Sequence, residues 1–310
     1  SSPQPSLPVG REMFARNRCV RAISLIPVAA IGTLFVFEWY VYNCFYVLRA
    51  LGALDNKEVA LSRAIIFNAA WLLALWSWLR TAFSDPGFVP EEWQPDAKVQ
   101  SRSLWDRSKW LPGNATKCDH CQEQRPERAH HCRICGRCVL RMDHHCPWVG
   151  NCVGFNNHKY FLLMVFYGTV ACALFVLTAL PLLKGMFLGG RKHIVLAGDV
   201  KGTMMFGMGA VLAASFSIAL GALFLSHCWL LLCNLTSIEV AYSGRNPYSL
   251  GPLHNAEQLL GALDLAWLLP IAPVRPLSDG FSFPSLSARN GDAERELVLP
   301  VGRTSVIDEV

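Results

Sequence analysis

The chain has 310 residues, 52% of them hydrophobic and only 16% charged, with a formal net charge of +5. That balance is more apolar than a soluble globular domain of this size carries. A charge of this size is ordinary for a membrane protein and gives no reason to expect a nucleic-acid partner.

Four stretches, near 21–45, 62–83, 160–183 and 204–235, are long and apolar enough to cross a bilayer, which takes roughly 20 helical residues for about 30 Å of hydrocarbon. Each is apolar all round rather than along one face, so four buried helices of a soluble bundle are disfavoured. The first contains Glu38, and the fourth has no Lys, Arg, Asp or Glu between Lys201 and Glu239. No cleavable signal peptide is expected in segment 1–20. The expected layout is therefore a cytosolic segment 1–20, transmembrane helices within 21–83, a cytosolic loop 84–159, transmembrane helices within 160–235 and a cytosolic C-terminal region 236–310.

The orientation follows from the basic residues. Segment 84–159 carries eleven, Lys98, Arg102, Arg107, Lys109, Lys117, Arg125, Arg128, Arg133, Arg137, Arg141 and Lys159. The hairpin after the third span carries few, Arg191, Lys192 and Lys201 among them, and Arg11, Arg16, Arg18 and Arg21 precede the first span. The loop 84–159 should then face the cytosol, with both termini on the same side. The sequons at Asn114 and Asn234 consequently lie on or beyond the cytosolic face and are expected to stay unmodified.

Seven of the twelve cysteines fall between 118 and 152, in a compartment where disulfides are rare and clustered cysteines point to metal or catalysis. The pattern is Cys118-x2-Cys121-x9-His131-Cys132-x2-Cys135-x2-Cys138-x4-Asp143-His144-His145-Cys146-x5-Cys152. Short C-x2-C knuckles with histidines supply tetrahedral zinc sites, and these residues suffice for two Cys3His centres with one ligand candidate to spare. Cys146 lies outside any knuckle and is the natural spare, although a third metal site or an inert buried thiol would also account for it. A thiol next to a histidine that is preceded by an aspartate has the form of an orienter, base and nucleophile set. Spacing alone leaves open how the ligands divide between the two centres, and whether His130 or His131 is the ligand.

Beyond the fourth span, Asn255-Ala256-Glu257-Gln258 has the form of a capped helix start, with Leu259, Leu260, Leu263 and Trp267 on one face of a short amphipathic helix. The tail after Phe283 is expected to be flexible.

The run Asp143-His144-His145-Cys146-Pro147-Trp148-Val149, followed by Asn151-Cys152-Val153-Gly154-Phe155-Asn156-Asn157, resembles the cysteine-rich domain of the DHHC family of protein S-palmitoyltransferases. The likeness covers 118–165 most closely and extends to Asp85-Pro86-Gly87, to Thr236-Ser237-Ile238-Glu239 and to Asn255, which on this likeness is the family's packing asparagine and otherwise a simple helix cap. It implies an α-helical integral membrane protein with four transmembrane helices and a cytosolic zinc-binding cysteine-rich domain (118–155) between the second and third. One structural Zn2+ would sit on Cys118, Cys121, His131 and Cys138, and a second on Cys132, Cys135, His145 and Cys152. Cys146 would attack palmitoyl-CoA, with His144 as base and Asp143 as its orienter, and pass the acyl group to cytosolic cysteines of membrane-associated proteins in a ping-pong reaction. Arg125 and His130 would meet the CoA phosphates, Trp148 would wall the active site, and Glu38 and Ala171 would lie near the closed end of an acyl cavity. Glu38 is expected there to be protonated, hydrogen-bonded or turned to the lumenal interface. Where the family has Thr-Thr, this chain has Thr236-Ser237, which keeps a hydroxyl for contact with Asp143. The resemblance implies a place in the endomembrane system, in Golgi, endoplasmic reticulum or plasma membrane. A non-catalytic zinc-domain adaptor explains the metal ligands but not Asp143, His144 and a spare Cys146 together. Apart from the cysteines, a channel or transporter has only Glu38 and His227 as charged or titratable candidates deep in the spans.

Overall fold

The computed structural model describes residues 9–47, 57–95, 101–102, 110–187, 200–274, 277–288 and 295–298, with side chains from 25 onward except at 101–102, 182–183, 185–187, 200, 287–288 and 295–298. Arg11, Arg16, Arg18, Arg21, Lys98, Arg102, Arg107, Lys109, Arg191 and Lys192, which bear on orientation, lie outside the described side chains.

Four helices dominate: α1 (Val9–Val41, continued by a π-helical turn Tyr42–Val47), α2 (Lys57–Phe83), α3 (His158–Phe187) and α4 (Val200–Leu232). They contain four stretches long and apolar enough to cross a membrane, Leu25–Val47, Lys57–Phe83, His158–Pro181 and Lys201–Leu232. Their outward surfaces expose Ile65, Leu72, Val211, Ile218 and Leu225, as a lipid-facing surface would. Inside, Tyr42, Phe67, Phe175 and Phe206 form a buried cluster with small residues Ala60, Ala64, Ala171 and Ala210. Small side chains let helix backbones approach closely where burial of apolar area is not the driving force.

Between α2 and α3 lie short strands. A three-stranded sheet pairs β1 (Ser101–Arg102), β2 (Ala115–Lys117) and β3 (Gln124–Arg125), and two hairpins pair β4 (His130–Cys132) with β5 (Arg137–Val139) and β6 (His144–Cys146) with β7 (Asn151–Val153). The strands are too short to hold their own core. Two asparagines tie them to α2. Asn151 Nδ2 donates to the carbonyls of Thr81, Ala82 and Ser84, and Asn157 Nδ2 to those of Thr81 and Cys152. These bonds satisfy carbonyls that the end of a helix leaves without partners. Gly154 completes the joint, because a Cβ there would come within 2.5 Å of the Pro86 carbonyl oxygen.

The chain after α4 is folded back onto the hairpins by buried polar groups. Arg128 donates to both Glu239 carboxylate oxygens at 2.7 and 2.8 Å and to Asn234 Oδ1 and O, and its guanidinium lies over the rings of Tyr248 and Phe283. Arg141 reaches Asn234 Oδ1 and the Leu235 carbonyl. Arg128, Arg141 and Asn234 all have left-handed backbones, with φ of 60°, 41° and 51°. Such conformations cost about 1–3 kcal/mol each and persist only where surrounding contacts fix them. Burial opposes the charge on both members of the Arg128–Glu239 pair, yet each keeps the other ionised. Glu239→Ala would leave Arg128 buried and unpaired, so a loss of about 3–5 kcal/mol is expected, visible as a lower melting temperature in detergent; an unchanged melting curve would contradict it.

Three C-terminal expectations are corrected. Helix α5 spans Pro252–Leu260, begins at Gly251 with Pro252 in the first turn and ends at Gly261, so Asn255 is not its cap. Instead Asn255 Oδ1 accepts from Leu250 N and its Nδ2 donates to the Leu232 carbonyl, which joins α5 to the end of α4. The proline presets the helix entry and needs no donor there. Leu263 is exposed, and Trp267 lies in a separate 3-10 turn, Leu265–Leu268, because Gly261 stops the helix. The tail beyond Phe283 is partly ordered: β8 (Ser285–Ala288) pairs with β9 (Arg295–Val298), and Phe283 N donates to buried Glu127.

Candidate active site and metal clusters

Strand periodicity divides the four residues 143–146 between two tasks. Successive side chains of a strand point to opposite faces, so in β6 His144 and Cys146 share one face and His145 takes the other. Across the hairpin, His145 is paired with Cys152. His145 Nδ1 lies 3.6 Å from Cys132 Sγ, 3.5 Å from Cys135 Sγ and 3.6 Å from Cys152 Sγ, with Cys135 and Cys152 sulfurs 3.5 Å apart. Tetrahedral zinc with its usual bond lengths separates sulfur from nitrogen by about 3.6 Å and sulfur from sulfur by about 3.8 Å, so this set fits the ion.

The other hairpin repeats the arrangement. His131 of β4 is paired with Cys138 of β5, and their ligand atoms lie within 4.8 Å of one another and of those of Cys118 and Cys121. Cys121 Sγ is 3.1 Å from His131 Nδ1 and 3.8 Å from Cys138 Sγ. His130 points to the opposite face, where Tyr242 Oη is 3.4 Å from its Nε2. The cross-strand register thus joins His131, not His130, to the cysteines.

A third compact group, Asp143, His158 and His227, is a poor metal site. Arg141 Nη1 is 3.2 Å from His158 Nδ1, and a guanidinium only donates. The His158 proton therefore sits on Nε2, leaving no lone pair for an ion.

On the face of β6 that carries Cys146, His144 Nδ1 donates to Asp143 Oδ2 at 2.6 Å. Asp143 is 1% exposed and also accepts from Ser237 N at 2.8 Å and Ser237 Oγ at 2.9 Å. Burial alone would raise its pKa, but the His144 bond and the surrounding histidines and Ser237 N–H hold the carboxyl well below the usual range. Burial disfavours the charged form of His144; Asp143 and the neighbouring Cys146 overcome this and raise it to about 9. Cys146 itself is buried in an apolar cluster with Trp78, Val149, Val153, Phe161 and Val165.

From this thiol a cavity of about 810 Å³ runs between the helices, lined by His144, Cys146, Trp148, Phe161, Trp71, Ala171, Cys172, Phe175 and Glu38 among others. Trp148, Glu38 and Ala171 are thus brought to one space with the thiol. Trp148 is 57% exposed at the mouth, and its carbonyl accepts from Trp78 Nε1. Arg125 and His130 line a different cavity of about 320 Å³, beside Trp110 and Tyr242. Arg125 Nε donates to Thr116 Oγ1 at 3.0 Å. Burial, reinforced by Arg125, pushes His130 down to about 4, so at neutral pH it offers hydrogen bonds rather than charge.

Residues 112–243 match the profile of a family described as DHHC palmitoyltransferase. The chain is 32% identical over 304 residues to "Palmitoyltransferase ZDHHC2" of Homo sapiens, covering 90% of this chain and 80% of that protein. The chain belongs to the DHHC palmitoyltransferase family. Further relatives agree: "Palmitoyltransferase ZDHHC15" of Xenopus laevis is 32% identical, covering 86% of this chain and 83% of its own length, and "Probable protein S-acyltransferase 12" of Arabidopsis thaliana is 35% identical, covering 74% and 81%. As a member of this family the chain is a protein S-acyltransferase, and the adaptor alternative is not favoured.

Sequence reasoning missed several residues that build this site. Asn151 and Asn157 fix the cysteine-rich hairpins to α2, while Arg128, Arg141 and Asn234 anchor the segment that brings Ser237 to Asp143. The sequon at Asn234 is buried, with its Nδ2 bonded to the Tyr248 carbonyl and Gln258 Oε1.

Proposed function

We propose that Cys146 is the nucleophile that carries the acyl group between acyl-CoA and protein cysteines. What carries this reading is the buried Asp143–His144 pair on the same strand face as a thiol that opens into an acyl-sized apolar cavity. His144 takes the Cys146 proton, the thiolate attacks the thioester carbonyl, and the departing CoA sulfur receives that proton. An acceptor thiol then gives its proton to His144, attacks the acyl-Cys146 carbonyl and restores the Cys146 thiol. Asp143 keeps the His144 proton on Nδ1, leaving Nε2 for the exchange, and steadies the imidazolium. Incubation with labelled acyl-CoA tests the scheme through a labelled thioester at Cys146.

Zinc on Cys118, Cys121, His131 and Cys138, and on Cys132, Cys135, His145 and Cys152, would supply folding free energy and no reaction step. The four apolar helices would lie in an endomembrane bilayer, with the hairpins and both termini cytosolic. This arrangement sets Cys146 at the interface, where the acyl chain of palmitoyl-CoA enters the helices while Arg125 and His130 meet the CoA head group.

Ser237 supports Asp143 with a side-chain bond that its backbone N–H duplicates only in part. Ser237→Ala should therefore lower kcat about tenfold, on the scale of one lost hydrogen bond to a charged group, with zinc content unchanged; full activity would show the hydroxyl to be dispensable. Ala171 is buried and lines the cavity. Ala171→Phe should fill the cavity and move donor preference toward chains shorter than palmitoyl, measured by competition among acyl-CoAs. An unchanged length profile would remove Ala171 from the cavity's working end.

A further inference from the structure

The cavity that begins at Cys146 is apolar along its length but not at its far end. Phe161 stands beside His144, with ring centroids 5.2 Å apart. Cys172 follows eleven residues later on α3, about 16 Å further along the helix. There Glu38 of α1, close enough to Cys172 to interact electrostatically, lines the cavity together with Phe67, Trp71 and Phe175. Both carboxyl oxygens of Glu38 are buried, and among the described residues neither has a hydrogen-bond partner.

An ionisable residue at this depth is costly unless something answers it, and a buried polar group without a partner forfeits its full hydration. The terminal methyl of a saturated chain cannot restore that loss; a hydroxyl at the same place can. We propose that the far end of the cavity is a polar subsite in which Glu38 hydrogen-bonds a hydroxyl at the ω end of the acyl chain, making ω-hydroxylated fatty acyl-CoAs preferred acyl donors. The proposal rests on Cys146 being the acylated residue. Specificity arises because a site built to bond a hydroxyl is left unpaired by the analogue that lacks it.

The experiment is competition between palmitoyl-CoA and ω-hydroxypalmitoyl-CoA for acylation of the full chain in detergent, with α-hydroxypalmitoyl-CoA as a control whose hydroxyl stays at the mouth. The wild type should favour the ω-hydroxy donor about tenfold over palmitoyl-CoA, with no such gain for the α-hydroxy donor. Glu38→Gln should keep the preference, and Glu38→Leu should abolish or reverse it at full zinc content. Equal use of palmitoyl-CoA and the ω-hydroxy donor by wild type, or an ω preference that survives Glu38→Leu, would overturn the subsite while leaving Cys146 in place. The wild-type comparison of the two hydroxyl positions needs no variant, so misfolding of Glu38→Leu would not protect the idea. Failure of every donor to acylate Cys146 would overturn both readings.

Discussion

Cys146→Ser is expected to lose self-acylation and acyl transfer, a fall of about 10⁴-fold or more on the scale of a removed nucleophile, while keeping two zinc ions per chain and a wild-type melting curve. Cys146 shares its strand face with His144, and its cross-strand neighbour is Asn151, not a cysteine. The four-residue cluster around His145 is complete without it. Replacing sulfur by oxygen at a buried site barely changes volume, so the apolar surroundings of Trp78, Val149 and Phe161 should tolerate it. A serine hydroxyl beside His144 is a far weaker nucleophile toward a thioester at neutral pH than a thiol. Loss of one zinc ion in this variant would make Cys146 a ligand, and retained transfer would make it a bystander.

The neighbouring histidines should fail in opposite ways. His145→Ala removes one of four ligand atoms from the second cluster, so about one zinc ion per chain is expected to be lost, and with it a large part of the roughly 10–16 kcal/mol that a structural zinc contributes to a small domain. The β6–β7 hairpin has three residues in each strand, and without the ion little else fixes its register. His144→Ala keeps both clusters intact. It should hold two zinc ions and near-wild-type melting, and lose about 10²–10⁴-fold in acylation, the range for a missing general base. Metal analysis and melting curves on the two proteins decide the matter. Loss of zinc from both, or from neither, would contradict the division of labour across β6.

The four long apolar helices were legible because a stretch of bilayer length with so few charges has few other uses. Their ends were less so. Helix α4 stops at Leu232, short of the expected 235, since Asn234 adopts a left-handed backbone to serve the buried arginines. The metal cluster was legible as composition and spacing, while its partition was not. Spacing cannot separate His130 from His131; the pairing of His131 with Cys138 can, and that register is a tertiary fact. At the C-terminal helix the capping reading misled because Asn255 and Gln258 imitate a capping box, whereas the likeness of Asn255 to a packing asparagine agrees with its contacts. Both side chains are committed to contacts distant in sequence, with the Leu232 carbonyl and with Asn234. The buried pair Arg128–Glu239 joins residues 111 positions apart, and nothing local in the sequence announces such a partnership.

The central claim is tested most directly by incubating the purified wild type with isotopically labelled palmitoyl-CoA without acceptor, mapping the hydroxylamine-labile acyl group by mass spectrometry, and then adding an acceptor protein. One acyl group should appear on Cys146 and move to the acceptor thiol at the rate of overall turnover. A stable acyl group on any other cysteine, or transfer at full rate without a labelled Cys146, would contradict the account.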